Sequence, residues 1–233
     1  MPPKLATGQS QVPAGVAAAL AAAEIPPSKL GAARHARLSS GERELYFWIL
    51  RRFAGRGRPS RLELDAAAAR LGTDTESVLA TLARDDLVHV DQEGEISVAY
   101  PFSGRPTAHR VRFPGGHETY AMCALDALGI APMFNQSITI ASRDPHSGEA
   151  FQAQLAPDCT GVWQPQTATV VVGALDRHAD SCRGCCPVLN FFATRTNAER
   201  WLAQHPEVRG HAISIADAIA TGRAAFGDVF DER

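Results

Sequence analysis

The chain has 233 residues, 45% of them hydrophobic, and a formal net charge of -2. It is long enough for one large domain or two small ones and for a sizeable core, and its charge balance excludes a globally basic nucleic-acid-coating surface. The longest apolar run near the N-terminus, Val16 to Ala23, is short, Ala-dominated and preceded by a single lysine, Lys4, so neither a membrane span nor a secretory signal is expected and the cytoplasm is the expected compartment.

Residues 1–38 are rich in Ala, Pro, Gly and Ser without sustained periodicity, which predicts a mobile tail with a transient Ala-rich helix between Pro13 and Glu24. A clearer pattern follows. Ser39 with Glu42 makes a capping box ahead of Leu45, Trp48, Ile49 and Phe53 at helical spacing. Ser60 with Glu63 opens a second helix that ends at Gly72, and Thr73 with Glu76 opens a third carrying Val78, Leu79 and Leu82. Leu87–Val90, a turn over Asp91–Gly94 and Glu95–Val98 read as a hairpin. Three short helices and a two-stranded wing resemble a winged helix-turn-helix over residues 39–100. The third helix carries Asp74 and Glu76 against Arg84 alone, a poor surface to offer a phosphate backbone, so a structural role is expected rather than DNA binding.

From Pro101 onward the pattern changes. Strands are expected at Ala108–Phe113, Ser137–Ala141, Ala150–Leu155, Ala168–Val172 and Val188–Ala193. Helices are expected at Thr119–Leu128, at Asn197–Gln204 capped by Thr196 with Glu199, and at Ile215–Ala220 capped by Ser214 with Asp217. Without regular strand-helix alternation, this predicts an α+β fold with a mostly antiparallel sheet over residues 101–233. No internal repeat, phosphate-binding glycine loop or dinucleotide fingerprint is present, and no cofactor is expected.

The chemistry-bearing residues are cysteines. There are five, an odd number, three of them within Cys182-Arg183-Gly184-Cys185-Cys186, which in a reducing compartment points to metal or thiol chemistry rather than a disulfide framework. Cys123 should fall in the first turns of the helix that follows Pro114–Thr119, where the helix dipole lowers a thiol pKa. Asp126, three residues on, would share its face. Bland readings compete with this: Cys123 as a small buried hydrophobe, or a structural zinc site in which Cys123, Cys159 or His178 completes the Cys182–Cys185 pair.

The string Tyr120-Ala121-Met122-Cys123-Ala124-Leu125-Asp126, with Cys186, Asn190-Phe191-Phe192-Ala193 and Trp201 following, resembles organomercurial lyase (alkylmercury lyase) over about residues 39–225. The resemblance implies that Cys123 and Cys186 are mercury-binding thiolates and Asp126 the proton carrier. An ungapped count from Phe191 selects Cys186, and a one-residue gap would select Cys185. The family commonly carries a further, structural cysteine where this chain has Asp144, and some members carry Trp where it has Met122, which should reshape the pocket wall. The implied activity is protonolysis of the carbon–mercury bond, with product Hg(II) passing to low-molecular-weight thiols or to a mercuric reductase. Read from the residues alone, a mercury-responsive winged-helix regulator and a non-catalytic soft-metal thiol protein stand beside the enzyme.

Overall fold

A computed structural model describes residues 14–175 and 180–230. Helix α1 (Ala14–Ala22) is followed by two 3-10 turns, Pro27–Lys29 and Gly31–His35, and by three helices, α2 (Ser40–Arg56), α3 (Arg61–Arg70) and α4 (Thr75–Arg84). Strands β1 (Val88–Val90), β2 (Ile96–Ala99), β3 (Phe102–Ser103), β4 (His109–Arg112) and β5 (Glu118–Ala121) lead into helix α5 (Ala124–Phe134). Strands β6 (Ile138–Arg143), β7 (Ala150–Leu155), β8 (Gly161–Gln164) and β9 (Thr169–Ala174) come next, then the one-turn helix α6 (Ser181–Gly184) and strand β10 (Phe191–Phe192). Helix α7 (Arg195–Gln204), strand β11 (Arg209–Ser214) and helix α8 (Ile215–Phe226) complete the order.

The fold is α+β, as expected, and every strand pairing is antiparallel. Eight strands run β1-β2-β3-β5-β4-β6-β7-β8, and a separate sheet runs β10-β9-β11. Alternation of the β7 side chains, exposed and buried in turn, matches a sheet with one wet face; β9 is buried throughout, being the central strand of its sheet and covered by α1 and α8. The hairpin β1–β2 stands where expected and joins the large sheet through β3. One apolar core is continuous from Ala19 to Val229, and a smaller cluster lies around Trp201 and Phe192 beneath α7. No helix among the described residues is long and apolar enough to cross a membrane.

Capping chemistry sets most helix starts. Two of the three predicted boxes, Ser39 with Glu42 and Ser60 with Glu63, are formed, and Ser214 caps α8 by accepting from the Asp217 N–H. Two caps are shifted. Asp74, not Thr73, caps α4, and Thr194, accepting from the Asn197 N–H, caps α7 in place of Thr196. In each case neighbouring hydroxyl or carboxylate residues are all competent caps, and the one that accepts the third residue's N–H is found one or two positions from the expected one.

Three expectations are corrected. The tail is packed from Ala14 onward: α1, inside the Pro13–Glu24 stretch where a helix is expected, lies on α8, β9 and β11, and Val16, Ala19, Leu20 and the following Ala23 are buried. Its alanines make weak periodicity but allow close approach, and each of the two larger side chains contributes ~2 kcal/mol of burial. Residues 1–13 lie outside the described residues. The helix expected over Thr119–Leu128 begins only at Ala124, because Glu118–Ala121 pairs with both β3 and β4 as a central strand. The strand expected over Val188–Ala193 shortens to Phe191–Phe192, since Cys185–Leu189 turns, with the Val188 N–H on the Cys185 carbonyl.

Helices α5 and α8 cross at Gly129 and Gly222. A Cβ at Gly222 would stand 2.9 Å from the Gly129 nitrogen and 2.9 Å from the Leu125 carbonyl oxygen, and one at Gly129 would meet the Gly222 carbonyl oxygen at 2.8 Å. Backbone therefore touches backbone, which carries Phe226 toward the start of α5.

Candidate active site

The chain turns from strand to helix at Cys123. The Met122 N–H is held by the Pro101 carbonyl at 3.0 Å, and Cys123, in extended conformation, is the N-cap residue of α5, its sulfur accepting from the Asp126 N–H at 3.5 Å. The first helical N–H, that of Ala124, donates to the Leu189 carbonyl at 2.8 Å. An unsatisfied helix-end donor thereby ties the first motif to the segment carrying the second.

That segment is anchored at its other end by Asp86. Lys29 pairs with its Oδ2, which also accepts from the Ser181 hydroxyl at 2.7 Å and the Ser181 N–H at 3.2 Å, while Oδ1 faces His89 Nε2 at 2.7 Å. Burial opposes ionisation there, but the bonds from His89, Lys29 and Ser181 win and hold the carboxyl well below its usual range.

Between these anchors the Cys186 thiol donates to Asp126 Oδ2 at 3.8 Å. The ligating atoms of Cys123, Asp126 and Cys186 all lie within 4.8 Å of one another, and all three residues are buried. Cys185 stands outside this triangle with its thiol on the Ser181 carbonyl at 3.6 Å. The ungapped register, which selects Cys186, is the one whose thiol meets Asp126. Cys182 and Cys159 are half-buried and join no group of three or more metal-ligand side chains among the described residues. The zinc reading has no such support there, and His178 lies outside the described residues.

Electrostatics reverse the expected effect of the helix dipole. Burial, and behind it the charge of Asp126, pushes the Cys123 thiol up to about 12. The Cys186 thiol is raised well above its ordinary value, first by its hydrogen bond with Cys123 and then by burial. Burial also lifts Asp126 to about 7. One N–H at the sulfur cannot repay removal of a charge from water. At neutral pH the site holds neutral thiols and a carboxyl divided between acid and base.

The three groups share a small cavity of about 30 Å³ with Cys185, walled by Ile25, Tyr100, Leu125, Leu189, Ala225 and Phe226, with Lys29 and Arg34 at its side. Arg34 stacks on Phe226, its guanidinium carbon 4.7 Å from the ring centroid. A larger open depression of about 450 Å³ lies on the sheet near Arg112, Gln154 and Val162, but its walls carry no cysteine, histidine or carboxylate.

The matches to known proteins point the same way. Residues 102–227 match the family model described as MerB, alkylmercury lyase. The chain belongs to the alkylmercury lyase family. It is an enzyme whose family cleaves organomercurials. The alkylmercury lyase of Staphylococcus epidermidis is 29% identical over 199 residues, spanning 84% of this chain and 89% of that protein. The Bacillus cereus alkylmercury lyase is 30% identical over 160 residues, spanning 69% and 72%. A crystal structure of the mercury-bound form of MerB2 superposes with a TM-score of 0.70 at 18% identity, covering 84% of this chain and 95% of that one, a likeness of fold.

Other residues of the cavity wall escaped the sequence reading. Lys29 and Arg34 come from 3-10 turns and Ile25 from the link between α1 and the first of them, short runs that leave no 3.6-residue periodicity. Tyr100 and Phe226 are ordinary core aromatics until α8 and the start of β3 are placed. Met122, expected to shape the pocket, is half-buried and absent from the cavity wall. Asp144, where the family commonly has a structural cysteine, is a buried tether: its Oδ2 accepts from the Ala193 N–H at 2.9 Å and Asn197 Nδ2 at 2.8 Å, and its Oδ1 from the His146 N–H at 2.7 Å.

Proposed function

We propose that the chain cleaves the carbon–mercury bond of organomercurials with Cys123 and Cys186 as the mercury-binding thiolates and Asp126 as the proton carrier. The observation that carries this reading is the convergence of two thiols and a carboxyl raised to about 7 within 4.8 Å, out of water. Mercury is soft and thiolates are its preferred ligands. A substrate R–Hg–X, with X an external thiolate, meets two neutral thiols. As one sulfur–mercury bond forms, X departs and takes one thiol proton as HX. As the second forms, its proton passes to ionised Asp126. Two thiolates push electron density onto mercury and raise the basicity of the attached carbon, and Asp126 delivers its proton there as the mercury–carbon bond breaks. R–H leaves, Hg(II) stays on two sulfurs, and Asp126 is ionised again. Neither the proton balance nor the oxidation state of mercury calls for a redox cofactor.

In this reading, external low-molecular-weight thiols, or a mercuric reductase, take the product, and the cytoplasm is the compartment whose thiol supply suits that exchange. Residues 39–100 serve as a structural winged-helix-like unit rather than a DNA reader, since the N-terminal turn of α4 presents Glu76, and residues 101–233 form the catalytic domain. The test is to incubate reduced protein with phenylmercury and excess thiol. Benzene and Hg(II) in equal amounts are expected; mercury bound without benzene would leave only a thiol-binding protein.

A further inference from the structure

A third sulfur, that of Cys185, lines the cavity beside Cys123 and Cys186. Cys186 stands between two other thiols, close enough to share a hydrogen bond with Cys123 on one side and with Cys185 on the other. Cys185 lines the same cavity as the other two, yet lies outside the triangle that Asp126 closes. A phenol lines the same cavity. The Tyr100 hydroxyl is buried at the cavity wall, with Cys182 as its sulfur neighbour. It lies within electrostatic reach of Cys186 and Cys182, and burial keeps it protonated.

We propose that Cys185 is the exit thiol for Hg(II), drawing the ion off Cys123 after cleavage and presenting it to external thiols. This rests on the reading that Cys123 and Cys186 hold the ion first. The Cys185 sulfur loses its proton as it bonds mercury, and the Cys123 sulfur takes one up as its bond to mercury breaks. One mercury–sulfur bond forms, one breaks, and nothing is oxidised or reduced. Cys123 and Asp126 are returned to their starting state while the ion sits on Cys186 and Cys185. The Ser181 carbonyl, which accepts the Cys185 thiol at 3.6 Å, orients it in the resting protein.

The test uses the full reduced chain and Cys185→Ala and Cys185→Ser variants, loaded with one equivalent of mercuric chloride. Transfer of the ion to dithiothreitol is followed by the ultraviolet thiolate-to-mercury absorption, and hydrocarbon released in a single turnover with phenylmercury is measured in parallel. Both variants should bind the ion and release benzene in one turnover at the wild-type rate. Both should hand mercury to dithiothreitol about tenfold more slowly, ~1.4 kcal/mol of added barrier. Wild-type transfer in both variants overturns the proposal. Loss of the single-turnover benzene in both overturns it as well, since Cys185 would then belong to the cleavage site. Absence of benzene from the wild type is a failure of the proposed lyase mechanism instead, and the mercuric chloride arm still reads the exit thiol.

Discussion

Replacing Asp126 by Asn removes the proposed proton carrier while keeping size and hydrogen-bonding capacity, and it has two consequences of opposite sign. The first is catalytic: loss of a positioned acid-base group costs about 10²–10⁴ in rate, whereas the two sulfurs remain to bind mercury. The second is energetic. Burial raises the folded carboxyl from its usual 3.8 to about 7, so the folded protein binds this proton more tightly than the unfolded chain does. That favours folding below the unfolded pKa and is lost as pH rises through the folded one. At about 1.4 kcal/mol per tenfold, the ionised group weakens the fold by at most ~4 kcal/mol above neutrality. Asn carries no charge to bury. Asp126→Asn should therefore match the wild type in stability near pH 4 and exceed it increasingly toward pH 8. Urea unfolding at both pH values, beside benzene release, measures this. Near-normal benzene release, or a stability difference that does not change with pH, would refute the argument that a desolvated carboxyl carries the proton.

Cys123→Ser and Cys186→Ser should each abolish benzene release, whereas Cys185→Ser should retain it in a single turnover; loss in the last with retention in Cys186→Ser would move the catalytic register by one residue. Asp86→Asn should loosen the thiol segment from Lys29 and Ser181, costing about 1.5–3 kcal/mol at neutral pH. Because the Asp86 carboxyl is depressed in the fold, its contribution exists above the unfolded carboxylate pKa and fades as pH falls through the folded one, so the gap between variant and wild type should close in acid; a gap that persists unchanged would show that its charge is immaterial. Gly222→Ala should push α8 off the α5 backbone at a cost of about 1–3 kcal/mol, visible as a lower denaturation midpoint at constant slope, and an unchanged midpoint would mean the helices part freely.

Much of the architecture is local and was legible. Ser39 with Glu42, Ser60 with Glu63, the Asp91–Gly94 turn and the alternating Ala150–Leu155 strand specify their own conformation within a few residues, because caps, turns and pleats are short-range physics. The Cys123–Asp126 spacing and the Cys186 to Phe191 interval are local too, and they carried the family likeness. What stayed hidden is non-local. Glu118–Ala121 is a strand only because β3 and β4 flank it, the Ala-rich segment around Leu20 is ordered only because α8 and β9 accept it, and Lys29 and Arg34 reach the cavity through turns with no periodic signature.

The amino-acid order by itself determined which groups can do chemistry here, namely soft thiols and one carboxyl at set intervals. Only the tertiary structure decided which thiol meets the acid, through the Ala124 to Leu189 bond and the Asp86 anchor on Ser181. It also decided the protonation state. A helix dipole can be read from sequence, but the removal of water that overrides it depends on every chain segment packed around the site.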